Sequence, residues 1–535
     1  MAFTFQINSN IEFRHDEALL AKAEANRPKI QHFKVSPRRI VDVVEDNTKL
    51  NGYWVAENGM QLEKLKEYGL KRDEKLILDF GDHYVGRFQV DIDSAGSPMD
   101  APLMLQFRFA EMPVELMQES SEYDGWLSRS WIQEEIIHID ELPVTLELPR
   151  RYSFRYVEIK VLDTSPKWQA VFSSPVLTAE SSADMARLPK VTIADKQLQK
   201  IYDVGVKTLA DCMQDVFEDG PKRDRRLWLG DLRLQALANY ATFDNIELVK
   251  RCLYLFAGMT TKEGKIAANV FVKPQNMPDD TFLFEYSLFF ISTLYDLYKA
   301  HSDQQSVQEL VKELYPVAKA QIDLTLTMID ENGKLVTDKN YPVFVDWSND
   351  FNKDTAGQGE VIYVLKQFLV LAAIAGEKQK TKYEEKLTLI SNYAREQLFD
   401  RERMLFVTGD NEYNIASQVW MVLSHVMTDE ENKAVMTKTV KEFFPVKGIA
   451  TPYMYHHIVE ALFEADLHKE AVTLMKYYWG MMIGLGADTY WEAFDPDQPD
   501  YSPYGMSIVN SYCHAWSCTP VYLIRKYMQN EYQDQ

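Results

Sequence analysis

Four cysteines in 535 residues are too few for a disulfide framework, and Cys212, Cys252, Cys513 and Cys518 fall at spacings that match no zinc pattern. Reduced thiols in a cytoplasmic protein are the simplest expectation. Long apolar runs are also missing: the densest, Phe368 to Ala375, is far below the ~20 residues that cross a bilayer. Positive charge is scarce. With 58 lysines and arginines against 80 aspartates and glutamates, the net charge of −22 repels nucleic acid and anionic membrane alike. The opening residues, Met1 to Gln6, carry neither the basic start nor the apolar stretch of a secretory leader. No nucleophile elbow, phosphate loop or His-Glu-x-x-His occurs, and nothing calls for a metal or a cofactor.

What is present is a folded composition, 46% hydrophobic and 26% charged, in a chain too long for one core. Residues 1–190 read as mostly strand. Short β-rich runs such as Leu76 to Phe80, Val85 to Ile92, Leu103 to Phe109, Tyr156 to Val161 and Gln169 to Phe172 recur between Gly, Pro and Asp, with a short helix at Lys64 to Tyr68. That pattern predicts an antiparallel β-sandwich, an architecture that specifies little about function by itself. From about Ala194 the apolar period changes from two to 3.6. Helices are expected at 196–216, 231–243, 245–258, 283–301, 304–329, 359–376, 379–398, 413–426, 429–443, 452–465, 467–483 and 509–528. Twelve helices over residues 191–535, joined alternately by short and longer loops, predict an (α/α)6 barrel; the absence of a fixed-period repeat argues against a solenoid. The long loops, 217–231, 259–282, 330–358 and 484–508, are rich in acids and aromatics, and long connections in a compact domain are usually functional.

The densest of them is Asp219-Gly220-Pro221-Lys222-Arg223-Asp224-Arg225-Arg226-Leu227-Trp228-Leu229-Gly230-Asp231, where Gly220 and Pro221 stop one helix and Asp231 is placed to cap the next. Exposed ion pairs on a solvated loop are the bland account. The alternative is a grip on a polar, sugar-sized ligand. A second loop carries Trp491-Glu492, an indole face for sugar C–H groups beside a carboxylate that can take a proton from water. Asp346-Trp347 repeats the theme, Asp279-Asp280 precedes an aromatic helix start, and His514 and Trp516 open the last helix. His456 and His457 point about 100° apart on a helix, so they are no joint metal site, and they are expected to cap or line a helix end. Carboxylates and indoles on loops suit glycoside hydrolysis, in which one acid protonates the departing oxygen while a second carboxylate activates water or attacks carbon. Asp224 and Glu492 facing each other across roughly 6.5–9.5 Å would give inversion. Crowded carboxylates favour a bound proton, whereas Arg223 and Arg225 favour the charged form.

Asp219 to Arg225 with Trp228, Gly230 and Asp231 resembles the signature of the α-L-rhamnosidases of glycoside hydrolase family 78. Ala487 to Glu492 resembles that family's second catalytic segment, Ser511 to Ser517 the segment after it, and Leu148 to Tyr156 a strand just before the barrel. The resemblance implies a β-sandwich ahead of an (α/α)6 barrel and inverting release of terminal L-rhamnose from small rhamnosides. It implies Asp224 as general acid and Glu492 as general base, with Asp219, Arg223, Trp228, Asp231, Trp347 and His514 on the sugar; Asp346 and Trp491 join them as neighbours in the two indole-bearing loops. Two departures stand out. Many members have glutamate where this chain has Asp224, which leaves Asp219 as the reserve acid, and the C-terminal sandwich of larger members is missing, so a homodimer is one way to cover the exposed barrel. Hydrolysis of another sugar on the same barrel, and carbohydrate binding without turnover, are the competing functions.

Overall fold

The computed structural model describes residues 10–534. The Met1 to Gln6 stretch read for a leader lies outside them. A helix that the β-rich pattern did not predict comes first, α1 (Glu17–Ala25), capped by the Asp16 side chain and packed on the helical domain. Ten strands follow in one wholly antiparallel sheet: β1 (Gln31–Val35), β2 (Arg39–Glu45), β3 (Tyr53–Glu57), β4 (Gly69–Leu70), β5 (Lys75–Gly96), β6 (Leu103–Ala110), β7 (Glu134–Ile139), β8 (Val144–Glu147), β9 (Tyr152–Asp163) and β10 (Trp168–Ser181). The short helix expected at 64–68 is a 3-10 turn, Leu62–Glu67.

The 22-residue β5 organises this domain. Its first part pairs with β9 and β2; after an irregularity between Asp79 and Tyr84 it pairs with β9 again as far as Gly86, and from there with β10 and β8. The strand thus passes from one half of the sheet into the other. Leu76, Leu78 and Phe80, then Phe88, Val90 and Ile92, alternate inward onto one buried core with Phe107, Phe109, Val157 and Ile159.

The helical domain comprises α2 (Lys196–Cys212), α3 (Leu229–Tyr240), α4 (Ile246–Gly258), α5 (Phe284–Ala300), α6 (Gln305–Leu326), α7 (Asp354–Ala375), α8 (Lys380–Tyr393), α9 (Ile415–Leu423), α10 (Asp429–Phe443), α11 (Pro452–Glu464), α12 (His468–Gly484) and α13 (Pro520–Tyr527). Packing contacts run α3 to α5, α7, α9, α11, α13 and back to α3, a closed inner ring, with the even-numbered helices outside it. The inner helices α3, α9 and α11 are buried almost all round, as a helix enclosed by others must be, whereas α8 and α10 bury one stripe. The 22-residue α7 is long and apolar enough by length and composition to cross a membrane, but neighbouring helices bury most of it.

Each inner helix but the last is followed by a short turn to an outer one, and each outer helix by a longer loop into the next inner one; the last, α13, packs against α2 at the start of the barrel. All the long loops therefore open on the end of the barrel where the inner helices begin. The last helix is shorter than the 509–528 expected: it starts at Pro520. His456 and His457 lie mid-helix in the barrel interior, fully buried, and not at a helix end.

The β domain packs on this loop-bearing end. Arg155 binds Asp79 in its own sheet and Asp488 in the barrel, and Lys49 Nζ donates to the Gly484 carbonyl. Glu111 accepts from the Tyr512 amide, and the Lys222 ammonium is held by Glu115 and the carbonyls of Ile508 and Asn510.

Candidate active site

The helix α2 delivers the chain to the 213–228 loop, whose shape is set from inside. The two oxygens of Asp219 accept from the amides of Arg226 (3.1 Å) and Asp224 (3.3 Å), and its carbonyl accepts from the Ala515 amide. Gly220 is obligatory here, because a Cβ would lie 2.5 Å from Ser511 Oγ and 2.6 Å from the Arg223 carbonyl. At Gly230 a Cβ would meet the Tyr286 ring at 2.4 Å, so the second glycine of the segment brings that ring against the start of α3.

Lys222 and Arg225 hold the loop from outside: Arg225 donates to the Pro221 and Arg151 carbonyls. Arg223 points the other way. It is buried, stacks over the Tyr504 ring with its guanidinium carbon 4.1 Å from the centroid, and donates Nε to the Val509 carbonyl. Its two remaining nitrogens reach different acids, Nη1 to Asp224 at 3.2 Å and Nη2 to Glu492. One guanidinium therefore lies between two carboxylates that are 268 positions apart in sequence, the difference between 492 and 224. The second oxygen of Glu492 accepts from the Tyr504 hydroxyl, and its carbonyl accepts from Trp516 Nε1 at 2.9 Å.

These acids face one pocket at the loop-bearing end of the barrel. Asp219, Asp231, His514, Trp228, Trp347, Tyr286 and Phe344 line it with them. His514 Nε2 stands 2.8 Å from Asp231 Oδ1. Burial alone would disfavour the imidazolium, but the Asp231 bond and the Glu492 charge outweigh it and hold His514 above its ordinary value. Its Nδ1 has no hydrogen-bond partner although it is buried, which leaves a donor for a ligand hydroxyl. Burial, then the neighbouring Asp224 carboxylate, push Asp219 up to about 8, so near pH 7 it is mostly neutral.

Residues 37–179 match the glycosyl hydrolase family 78 alpha-rhamnosidase N-terminal domain, and residues 187–528 match the bacterial alpha-L-rhamnosidase 6 hairpin glycosidase domain. The chain belongs to glycoside hydrolase family 78. A rhamnosidase from Klebsiella oxytoca, solved with rhamnose bound, is similar at 42% identity and a TM-score of 0.93, over 97% of this chain and 100% of that one. A family 78 rhamnosidase of Bacillus sp. GL1 (20% identity, TM-score 0.69, 84% of this chain and 46% of that one) shares the fold. So does a Streptomyces avermitilis alpha-L-rhamnosidase complexed with L-rhamnose (15%, 0.64, 93% and 44%). Comparison with curated protein sequences finds no match.

Two residues expected on the sugar are elsewhere in this family 78 chain. Asp346 is buried beside the pocket wall, accepting from the amides of Ser348 (2.8 Å) and Ala450 (3.0 Å) and from the Thr451 hydroxyl, so it pins one loop to the N-terminus of α11. Trp491 packs inward on Phe494 and Tyr512. His514 does not open a helix; it sits in extended backbone before the 3-10 turn Ala515–Ser517. Asp279 accepts from Asn269 and Thr281 side chains and braces its own loop.

Sequence reasoning missed Tyr504, whose only signal was the aromatic density of the 484–508 loop. It also missed Trp126 and Leu127, which the β domain contributes to the pocket wall. Behind the site, His83, Asp211 and Cys513 bring potential metal ligands within 4.8 Å of one another. Their capacity is already spent: His83 is bonded to Asp211 (2.6 Å), Ser153 (3.0 Å) and Glu111 (3.1 Å), and Lys207 neutralises Asp211.

Proposed function

We propose that this family 78 enzyme releases terminal α-linked L-rhamnose from small rhamnosides with inversion, Asp224 acting as general acid and Glu492 as general base. The observation that carries the reading is the single Arg223 guanidinium in contact with both carboxylates over one pocket. Arg223 holds the two acids over the same pocket with one nitrogen on each, so that one can serve the leaving oxygen and the other a water; an inverting pair stands roughly 6.5–9.5 Å apart and a retaining pair about 5–5.5 Å. The rhamnose bound in the Klebsiella oxytoca relative supports the sugar assignment.

In this mechanism Asp224 gives its proton to the glycosidic oxygen as the bond to the anomeric carbon breaks. Glu492 takes a proton from the water that attacks that carbon from the opposite face, and the products are rhamnose and the free alcohol. Tyr504 and Arg223 hold the Glu492 oxygens in place. The Asp231–His514 pair offers a carboxylate and an imidazole N–H to sugar hydroxyls, and Trp228 and Tyr286 offer ring faces to its C–H edge.

The test is a proton NMR time course with an aryl α-L-rhamnoside, alongside a panel of other aryl glycosides. First appearance of the β-anomer of rhamnose is expected. First appearance of the α-anomer would remove the inverting assignment, and turnover confined to a non-rhamnosyl glycoside would remove the substrate.

A further inference from the structure

The segment 111–133, between β6 and β7, leaves the β domain and crosses the open end of the barrel. Four contacts secure it there. Glu115 grips Lys222 of the catalytic loop, and Gln118 Oε1 accepts from the Ile508 amide at 2.8 Å. Tyr123 packs with Tyr504, Ile508 and Val509, and Trp126 Nε1 donates to the Pro503 carbonyl at 3.2 Å. The Trp126 ring centroid stands 5.4 Å from that of Tyr504, whose hydroxyl binds Glu492.

Trp126 is nevertheless 46% exposed. A large aromatic fixed by its partner domain and open to solvent beside a pocket is a preformed contact face that loses little freedom on binding. The side chains that keep contact with solvent are the indoles of Trp126, Trp228 and Trp347, Leu127, and the acid Asp224; the remaining polar side chains of the wall, Thr281, Tyr286, Tyr504, Glu492, His514, Arg223, Asp219 and Asp231, are buried. Of the two carboxylates, Asp224 is also the more exposed (14% against 6%). The leaving oxygen must come within hydrogen-bond reach of the proton donor, so the group it carries points outward, across the three indoles and Leu127.

We propose that Trp126, supplied by the β domain, forms the leaving-group subsite together with Leu127, and that this subsite selects planar aromatic alcohols over sugars. The inference rests on the function proposed above. A second sugar would place several hydroxyls against this rim, where, among the described side chains that line the pocket, Asp224 is the only solvent-facing hydrogen-bonding group apart from the indole N–H groups, and the N–H of Trp126 is spent on Pro503. An aromatic ring needs no such partners and stacks on an indole.

The experiment compares kcat/KM of wild type, Trp126→Ala and Trp126→Phe on three substrates: a flavonol α-L-rhamnoside, a rhamnosyl-glucose disaccharide and α-L-rhamnosyl fluoride, which has no aglycone to stack. The ratio of flavonol rhamnoside to fluoride is expected to fall about tenfold or more in Trp126→Ala, mainly through KM, and to recover most of that in Trp126→Phe. The ratio of disaccharide to fluoride should move by less than about threefold. Equal losses on all three substrates would make Trp126 a structural prop, and an unmoved flavonol ratio would remove the subsite; either overturns the inference while leaving rhamnoside hydrolysis intact. Failure of wild type to release rhamnose from any of the three would instead overturn the proposed function, and the inference with it.

Discussion

Lys222 lies in the densest charged loop of the chain, yet it does not line the pocket that Asp224 and Glu492 face. Its Nζ is buried among the Glu115 carboxylate and the carbonyls of Ile508 (3.0 Å) and Asn510 (2.8 Å), so Lys222→Met should act through stability and in a pH-dependent way. Burial, reinforced by neighbouring Glu111, pushes Glu115 up to about 7 against the pull of the lysine. A carboxyl raised from 4.5 to about 7 contributes stability that is fully present below 4.5 and is lost as pH climbs through 7, about 3 kcal/mol in all. Below pH 7 Glu115 is protonated with or without the lysine. The substitution then costs the bonds to two carbonyls, roughly 2 kcal/mol. Above pH 7 wild type ionises Glu115 beside the ammonium, whereas the variant must keep a buried acid neutral. The penalty should grow by about 1.4 kcal/mol per pH unit toward the roughly 3–5 kcal/mol of a broken buried pair. Calorimetric Tm values of wild type, Lys222→Met and Lys222→Met/Glu115→Gln at pH 6 and pH 8.5 read this directly. The single variant should fall further behind wild type at the higher pH, and the double variant should close most of the added gap. A Tm deficit equal at both pH values, or a double variant no more stable than the single, would refute the reasoning.

Three further outcomes are expected. Asp224→Asn and Glu492→Gln should each lower kcat/KM on an aryl rhamnoside by several orders of magnitude. Asp219→Asn, which keeps the neutral state favoured near pH 7 but loses one of two amide bonds, should cost only about ten- to a hundredfold; a loss matching that of Asp224→Asn would make Asp219 the proton donor. Inhibition by L-rhamnose should weaken on the alkaline side, because the charged His514 is favoured below its ordinary value and lost as pH rises through its higher folded value. Rhamnose affinity that stays flat between pH 6 and 9 would refute that role.

Helices of the barrel were legible because enclosed and half-enclosed helices repeat apolar residues at a period of 3.6, and this survives any detail of the loops. The misplaced start of α13 shows where that signal deceives. Val509, Tyr512, Cys513 and Trp516 keep a helical spacing, but their segment's amides are committed elsewhere: Tyr512 N to Glu111, His514 N to the Tyr490 carbonyl, Ala515 N to the Asp219 carbonyl. A backbone whose donors are taken by three other elements cannot coil, and those elements lie far away in sequence, so no local pattern reports them. The paired acid-and-indole motifs failed for a simpler reason. Where the backbone runs extended, adjacent residues project to opposite sides, and both of these pairs divide in that way. If Glu492 faces the pocket, Trp491 must face the core; if Trp347 faces it, Asp346 must turn to the loop behind. Arg223 and Asp224 are neighbours that do meet in the site, but the other partners come from remote segments: Arg223 with Glu492, Asp231 with His514, and Trp126 of the β domain with Tyr504 of the barrel. It follows that the β domain, which looked uninformative as a sandwich, belongs to the site's architecture. Its 111–133 segment holds both the 213–228 loop, through Glu115, and the pocket rim, through Trp126. A barrel expressed without residues 1–190 would leave Lys222 without its acid and the rim without one of its indoles.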